Sequence, residues 1–96
     1  MDQDSRQFSR QWVTADALLA EKECELVYAY LAPSAASADV SLYDGENTSE
    51  DLIATLKSAV ITGHEFRPPV PINCRKGLYV DVGSNVTGVL VMWRVL

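Results

Sequence analysis

Two cysteines and one histidine are the residues of this chain that could carry out nucleophilic chemistry. Cys24 and Cys74 are the only cysteines, and His64 is the only histidine. A thiol enzyme needs a histidine beside its cysteine to form the reactive thiolate. For neither cysteine does the sequence establish a helix start or an electropositive setting that would activate it, and His64 follows Gly63 on a turn. We therefore predict no catalytic residues and no enzymatic activity. We expect both thiols to be free and buried, because the polar, acidic residues 1–7 contain no apolar secretion signal.

Acidic residues cluster in one segment of the chain, at Asp44, Glu46, Glu50 and Asp51. Paired carboxylates can perform acid–base catalysis or bind calcium, but the alternation of an EF-hand loop is absent here. The separation of the two cysteines also matches no zinc-binding spacing. We predict a solvated acidic loop with no metal and no cofactor. Asp44, Glu46 and Asn47 together have ligands for a weakly held ion at most.

Four tyrosines are the remaining candidates for binding chemistry, at Tyr28, Tyr30, Tyr43 and Tyr79. Tyrosine rings can stack on a carbohydrate or a peptide when they share a face. Tyrosines also occur at strand edges for structural reasons alone. The sequence leaves both interpretations open.

Length and charge limit the classes of protein to consider. The chain has 96 residues, enough for one small domain that oligomerisation would stabilise further. The net charge is −5 and the basic residues are dispersed, which argues against nucleic acid as a partner. No apolar run approaches the roughly 20 residues of a membrane span, so we expect no membrane contact.

The clearest structural signal is a hairpin between Val40 and Leu56. Two apolar runs flank Asp44-Gly45 and Asn47-Thr48-Ser49, which are turn-forming residues. On the near side Val40 and Leu42 share one face, with the period of a half-buried strand. We predict two antiparallel strands joined by a loop of about five residues or more.

The segment Ala15–Leu31 is ambiguous. Its alanines, leucines, glutamates and lysine favour a helix. Alternatively, Glu21-Lys22-Glu23 is a turn between two strands, and the second strand places Cys24, Leu26, Tyr28 and Tyr30 on one face. Residue propensity by itself favours the helix.

The last third of the chain indicates strands and loops. Pro68, Pro69 and Pro71 exclude a helix and predict a sheet edge or a long loop. The segment Gly77–Gly83 alternates as a strand, and Val89–Leu96 is apolar nearly throughout, as in a strand covered on both faces. Short strands with turn signals every 8–12 residues are typical of an antiparallel sandwich.

Three blocks of sequence resemble a group of small proteins encoded among the virion structural genes of tailed bacteriophages. The first is Ser41–Gly45 followed by Leu52–Leu56. The second is Phe66, Pro69 and Pro71 followed by Cys74–Val80, and the third is Gly83 with Val86–Val89 and a closing strand. The resemblance covers roughly residues 10–94. The chain departs from the pattern between Ala20 and Glu25, where relatives tend to have a Gly-Pro turn.

The resemblance implies an all-β, antiparallel sandwich or jelly-roll-like fold, and it favours strands over a helix in Ala15–Leu31. We expect residues 1–9 to form a flexible N-terminal arm and residues 10–96 to form one domain. The implied function is that of a non-enzymatic virion protein made in the bacterial cytoplasm, most often a capsid decoration or head-fibre module. A neck or tail attachment protein and a carbohydrate-binding or other ligand-binding sandwich are the alternatives.

The expected partners are other copies of the chain, with a homotrimer as the hypothesis, and the phage major capsid protein or another virion protein. The arm and the apolar C-terminal strand are the candidate contacts. Their residues are Phe8, Trp12, Val89, Val91, Trp93, Val95 and Leu96.

Overall fold

The fold is an antiparallel β-sandwich, which confirms the predicted all-β class. The computed structural model describes residues 8–96, and the predicted arm lies outside the described residues up to residue 7. Ser9, placed in the arm by the sequence, begins the first strand. The strands are β1 (Ser9–Val13), β2 (Ala17–Ala20), β3 (Cys24–Pro33), β4 (Ala38–Asp44), β5 (Asp51–Ser58), β6 (His64–Phe66), β7 (Ile72–Cys74), β8 (Leu78–Val82) and β9 (Val86–Val95).

The strands form two sheets with the order of a jelly roll. One sheet, here the β1 sheet, has the order β1-β9-β3, with β6 and β7 both paired to the far edge of β3. The other, the β2 sheet, has the order β2-β8-β4-β5. The pairs are nested: β1 with β9, β2 with β8, β3 with β6 and β7, and β4 with β5. The chain is therefore one long hairpin folded over on itself, which is the double Greek key of a jelly roll.

The predicted hairpin lies at the centre of this nesting. β4 and β5 pair from Ala38 with Ser58 to Asp44 with Asp51, and residues 45–50 form the loop. In that loop the Asn47 side chain accepts a hydrogen bond from the Ser49 N–H at 2.8 Å, a local turn that asparagine favours.

Strands replace the helix that residue propensity favours between Ala15 and Leu31. Leu26 and Leu31 are fully buried between the sheets, and this packing outweighs helix propensity. The predicted common face for Cys24, Leu26, Tyr28 and Tyr30 is wrong. Leu26 pairs with Trp93, but Tyr28 pairs with Met92, so Val27 is an extra residue in the ladder. This bulge moves both tyrosines to the outer face and turns Ala29 and Leu31 inward.

The C-terminal strand β9 contributes to the core between the sheets. Val89, Val91 and Trp93 are buried there, whereas Leu90 and Met92 lie half-buried on the outer face. The prediction that Val89, Val91 and Trp93 form an interface is therefore corrected. Alternate residues of a strand point to opposite faces, and these three belong to the face that the β2 sheet covers.

The proline-rich segment lies at a sheet edge, as predicted. Pro68, Pro69 and Pro71 fall between β6 and β7, and both of these short strands pair with the same edge of β3. A proline cannot donate a ladder hydrogen bond, so the edge is interrupted at this point.

Asp44 connects the hairpin to the turn between β7 and β8. Its carboxylate accepts hydrogen bonds from the Arg75 N–H at 3.1 Å and the Lys76 N–H at 2.8 Å. The Lys76 ammonium in turn lies 3.0 Å from the Glu50 carboxylate. The acidic loop of the sequence analysis thus has a structural role that its composition did not indicate.

Candidate interaction surface

The residues with nucleophilic potential do not assemble into a catalytic pair. Cys24 and Cys74 are buried and lie directly opposite each other on β3 and β7. His64 is exposed and pairs with Leu31, seven residues further along β3. At the rise of an extended strand this separation is about 20 Å, beyond any contact between the imidazole and a thiol.

Two acidic side chains of the Asp44–Asp51 segment bind backbone N–H groups or a lysine. Asp44 accepts two backbone N–H groups, and Glu50 pairs with Lys76. Within residues 8–96, no group of three or more histidine, cysteine, aspartate or glutamate side chains could hold a metal ion.

The four tyrosines divide between two opposite surfaces. Tyr28 and Tyr30 lie on the outer face of the β1 sheet, as a result of the bulge at Val27. Tyr43 and Tyr79 pair with each other on β4 and β8, on the outer face of the β2 sheet. A single platform of four tyrosines does not exist in this fold.

The outer face of the β1 sheet carries aromatic and apolar side chains in register. Trp12 is paired with Leu90, and Leu90 with Tyr30. Two residues further along β9, on the same face, Met92 is paired with Tyr28. We call Trp12, Tyr28, Tyr30, Leu90 and Met92 the outer aromatic face.

Gly88 makes room for Trp12 on this face. A side-chain carbon at Gly88 would collide with the Trp12 indole ring, so any larger residue there would displace the ring from its present position. The register of β9 shifts beside Gly88, between its pairings with Ala32 and Pro33. The contact with Trp12 was not apparent because the two residues are distant in sequence.

A shallow groove of about 460 Å³ borders the outer aromatic face. The Arg67 guanidinium lies 5.3 Å from the centre of the Tyr28 ring, and it forms an ion pair with Glu65 at 2.7 Å. Burial and the neighbouring Glu65 raise the pKa of Tyr28, while the hydrogen bond from Arg67 lowers the pKa of Glu65. The groove is lined by Val27, Tyr28, Arg67, Pro68, Pro69, Pro71 and Met92.

The exposed members of the predicted interface lie along β1 and the end of β9. Phe8 is opposite Arg94, whose guanidinium lies 5.3 Å from the centre of the Phe8 ring and pairs with Glu25. We call these exposed residues the apolar margin: Phe8 at 43%, Trp12 at 49%, Val95 at 45% and Leu96 at 61% of full exposure. The sequence could identify them by type, but only the structure separates them from the buried residues of the same run.

Carboxylates crowd together at one end of the outer face of the β2 sheet. Asp16 accepts a hydrogen bond from the Val82 N–H at 2.8 Å, and Asp39 accepts one from the Ser84 N–H at 3.2 Å. Asp81 lies near both. Desolvation, followed by the charge and hydrogen bond of Asp16, raises the pKa of Asp81.

Asp81→Asn is expected to raise the melting temperature near pH 7 by about 2–5 °C, the scale of a like-charge contact on a sheet. Because the folded-state pKa of Asp81 is raised, its destabilising charge is present at neutral pH and is lost as the pH falls through that pKa. Thermal unfolding of variant and wild type at about pH 7 and about pH 3 tests this. An equal gain at both pH values would show that the amide acts by packing and not by charge.

Comparison with known proteins gives no relative. No protein-family model, curated protein or solved structure matches the chain. Within residues 8–96, no helix has the length and apolar character that a bilayer span requires.

Proposed function

We propose that the chain is a non-enzymatic structural protein of a bacteriophage virion, a capsid decoration or head-fibre module. It assembles on the particle by contacts with other copies of itself and with the major capsid protein. The observation that carries this proposal is the apolar margin, which runs along an open strand edge of a jelly roll. Jelly rolls recur in viral capsid proteins and in lectins.

The open edge is β1. Among residues 8–96 it is the outermost strand of its sheet and pairs with β9 on one side, so alternate residues direct their N–H and C=O groups away from the sheet. The other three edges carry features that discourage pairing. The edge formed by β6 and β7 contains prolines, β2 is short and irregular at Leu19, and β5 is irregular at Ile53.

The side chains of β1 and of Phe8, which directly precedes it, suit a contact with another protein. Phe8 and Trp12 are large, aromatic and exposed, a residue type enriched in the buried centre of interfaces. Val95 and Leu96 are exposed at the end of the neighbouring strand β9, and the Leu96 N–H donates to the Glu23 carbonyl oxygen at 3.2 Å. The C-terminus is thereby fastened beside the turn that precedes β3.

Trp12→Glu is expected to return the self-associated protein to a monomer of 10.6 kDa, measured by light scattering at micromolar concentration. A carboxylate in the centre of an apolar contact has no partner and must be desolvated. The matched control is Leu52→Glu on β5, because Leu52 is exposed at 57% on the other sheet. A wild-type monomer, or equal dissociation by both variants, would contradict self-association through the margin. A mass of three chains would support the homotrimer, which stays a prediction.

The particle contact needs its own test. Purified particles of the bacteriophage that encodes the chain are expected to contain it in a fixed ratio to the major capsid protein, as measured by quantitative mass spectrometry. Its absence from the particles would contradict the proposal. Its recovery with isolated necks or tails, and not with heads, would instead support an attachment role.

A carbohydrate-binding module is the second candidate, because Trp12 and Tyr28 share one outer face beside the groove at Arg67. Aromatic rings and a guanidinium are the groups that commonly contact sugar rings. A glycan array separates the two functions. Specific binding that Tyr28→Ala abolishes, and Tyr43→Ala on the opposite surface does not, would favour the carbohydrate module.

A further inference from the structure

The two buried cysteines are aligned for a covalent bond. Cys24 begins β3, Cys74 ends β7, and the two are direct partners in the antiparallel ladder. Both have no exposed surface and both are free thiols. Direct partners in an antiparallel ladder have Cα atoms about 4.5 or 5.5 Å apart, and a disulfide accommodates either distance.

The two thiols also interact with each other. The interaction with the Cys74 side chain lowers the pKa of Cys24, while the Cys74 thiol itself donates a hydrogen bond to the Ile72 carbonyl oxygen at 3.6 Å. The interaction with Cys24, together with burial, raises the pKa of Cys74. The opposite directions of these two pKa shifts favour Cys24 as the thiolate that attacks a disulfide reagent.

We propose that Cys24 and Cys74 form a redox site that closes to a disulfide by exchange with a small disulfide such as glutathione disulfide. The Cys24 thiolate attacks one sulfur of the reagent, breaks its S–S bond and releases one glutathione. The Cys74 thiol then attacks the mixed disulfide at the Cys24 sulfur, loses its proton and releases the second glutathione. Two cysteines are oxidised by two electrons, and one glutathione disulfide is reduced to two glutathione molecules.

Access to the site is controlled by β7. This strand has three residues, lies at a sheet edge and follows the proline-rich segment 67–71. On its other side, the Asp44 carboxylate holds the N–H groups of Arg75 and Lys76. Opening of β7 alone separates Cys74 from β3 and exposes both thiols, whereas the rest of the β1 sheet stays paired. The disulfide, once formed, fastens β7 to β3.

The primary test treats the purified, reduced protein with glutathione disulfide and measures its intact mass and melting temperature. The expected product has lost two hydrogen atoms, carries no glutathione and melts about 10 °C or more above the reduced protein, because the bond closes a long loop. Cys74→Ser should instead stop at a stable glutathione adduct on Cys24. A stable adduct on the wild-type protein, or two free thiols after long exposure, would overturn the proposal.

A second experiment tests the route. Asp44→Asn weakens the contact that holds the turn after β7, and we expect disulfide formation to become about tenfold faster, as for an opening equilibrium shifted by one charge-assisted hydrogen bond. The matched control is Asp39→Asn, which removes a similar carboxylate contact to the Ser84 N–H. Equal acceleration by both variants would overturn the role of β7, since it would show that the thiols react through global unfolding. The disulfide does not depend on any role in a virion, so its failure would leave the proposed function untouched.

Discussion

Val91→Asp is expected to leave the chain without a cooperative unfolding transition. Val91 has no exposed surface and lies on β9 between Gln11 of β1 and Ala29 of β3. An unpaired carboxylate in an apolar interior costs several kcal/mol even when it becomes protonated, and a domain of this size is stable by only about 5–10 kcal/mol. Thermal and urea unfolding followed by circular dichroism measure the effect.

Val95→Asp is the matched control for this substitution. Val95 belongs to the same strand but is 45% exposed, so its carboxylate remains in water. We expect a folded protein with a melting temperature within a few degrees of the wild type and weaker self-association, since Val95 belongs to the apolar margin. Val91 and Val95 lie on the same face of β9, so a folded Val91→Asp protein together with an unfolded Val95→Asp protein would show that the β2 sheet covers the Val95 end of this face and not Val91.

Gly77→Ala is expected to lower the free energy of unfolding by about 3–5 kcal/mol. Gly77 has a φ of +149°, and a side-chain carbon there would lie 2.4 Å from the Ala20 carbonyl oxygen. The backbone conformation disfavours any other residue, and the collision is with main chain that cannot rotate away. Because Ala20 ends β2 and Gly77 precedes β8, the substitution separates two paired strands. Urea unfolding provides the measurement.

Gly45→Ala separates the cost of the backbone conformation from the cost of the collision with the Ala20 main chain. Gly45 has a similar φ of +153°, but its added carbon would meet Cβ and Cγ of Glu50, a residue of the same loop and not of a paired strand. We expect a smaller loss, about 1–2 kcal/mol, because the loop can shift to relieve this contact without separating paired strands, which leaves mainly the backbone strain. The difference between the two variants measures the collision with Ala20. Equal losses would show that this collision has no separate cost.

Local patterns were sufficient for much of the fold. The Asp44-Gly45 turn between alternating runs identified the β4–β5 hairpin, and the alternation of Leu78 and Val80 identified β8, because each signal depends on neighbouring residues. The segment Ala15–Leu31 was different. Its residues favour a helix, and only the packing of Leu26 and Leu31 against the second sheet makes it two strands.

The bulge at Val27 could not be predicted from the residues next to it in the sequence. It arises in the pairing of β3 with β9, which is far along the chain, and it reverses the faces of Tyr28 and Tyr30. The same limit applies to the candidate interface. Val91 and Val95 are the same residue type in one apolar run, and only the position of the second sheet decides which of them is exposed.

The nearness of Cys24 and Cys74 was also beyond local patterns. Their register is fixed by β7 returning to the edge of β3 after the β4–β5 hairpin and the proline-rich loop. A rule that uses only the sequence spacing of metal ligands or motif residues cannot predict such a pairing. The sequence correctly indicated free, buried thiols but not their contact.

The nested pairing of the strands has a consequence for the order of folding. The β4–β5 pair closes the shortest loop, and each pair outside it joins residues more distant in sequence, up to β1 with β9. Once an inner pair has formed, the next one closes only its short connections, so the loss of chain entropy is spread over successive small steps. The sandwich therefore assembles from the hairpin outwards, and β1, the strand with the open edge, is the last to be held in place.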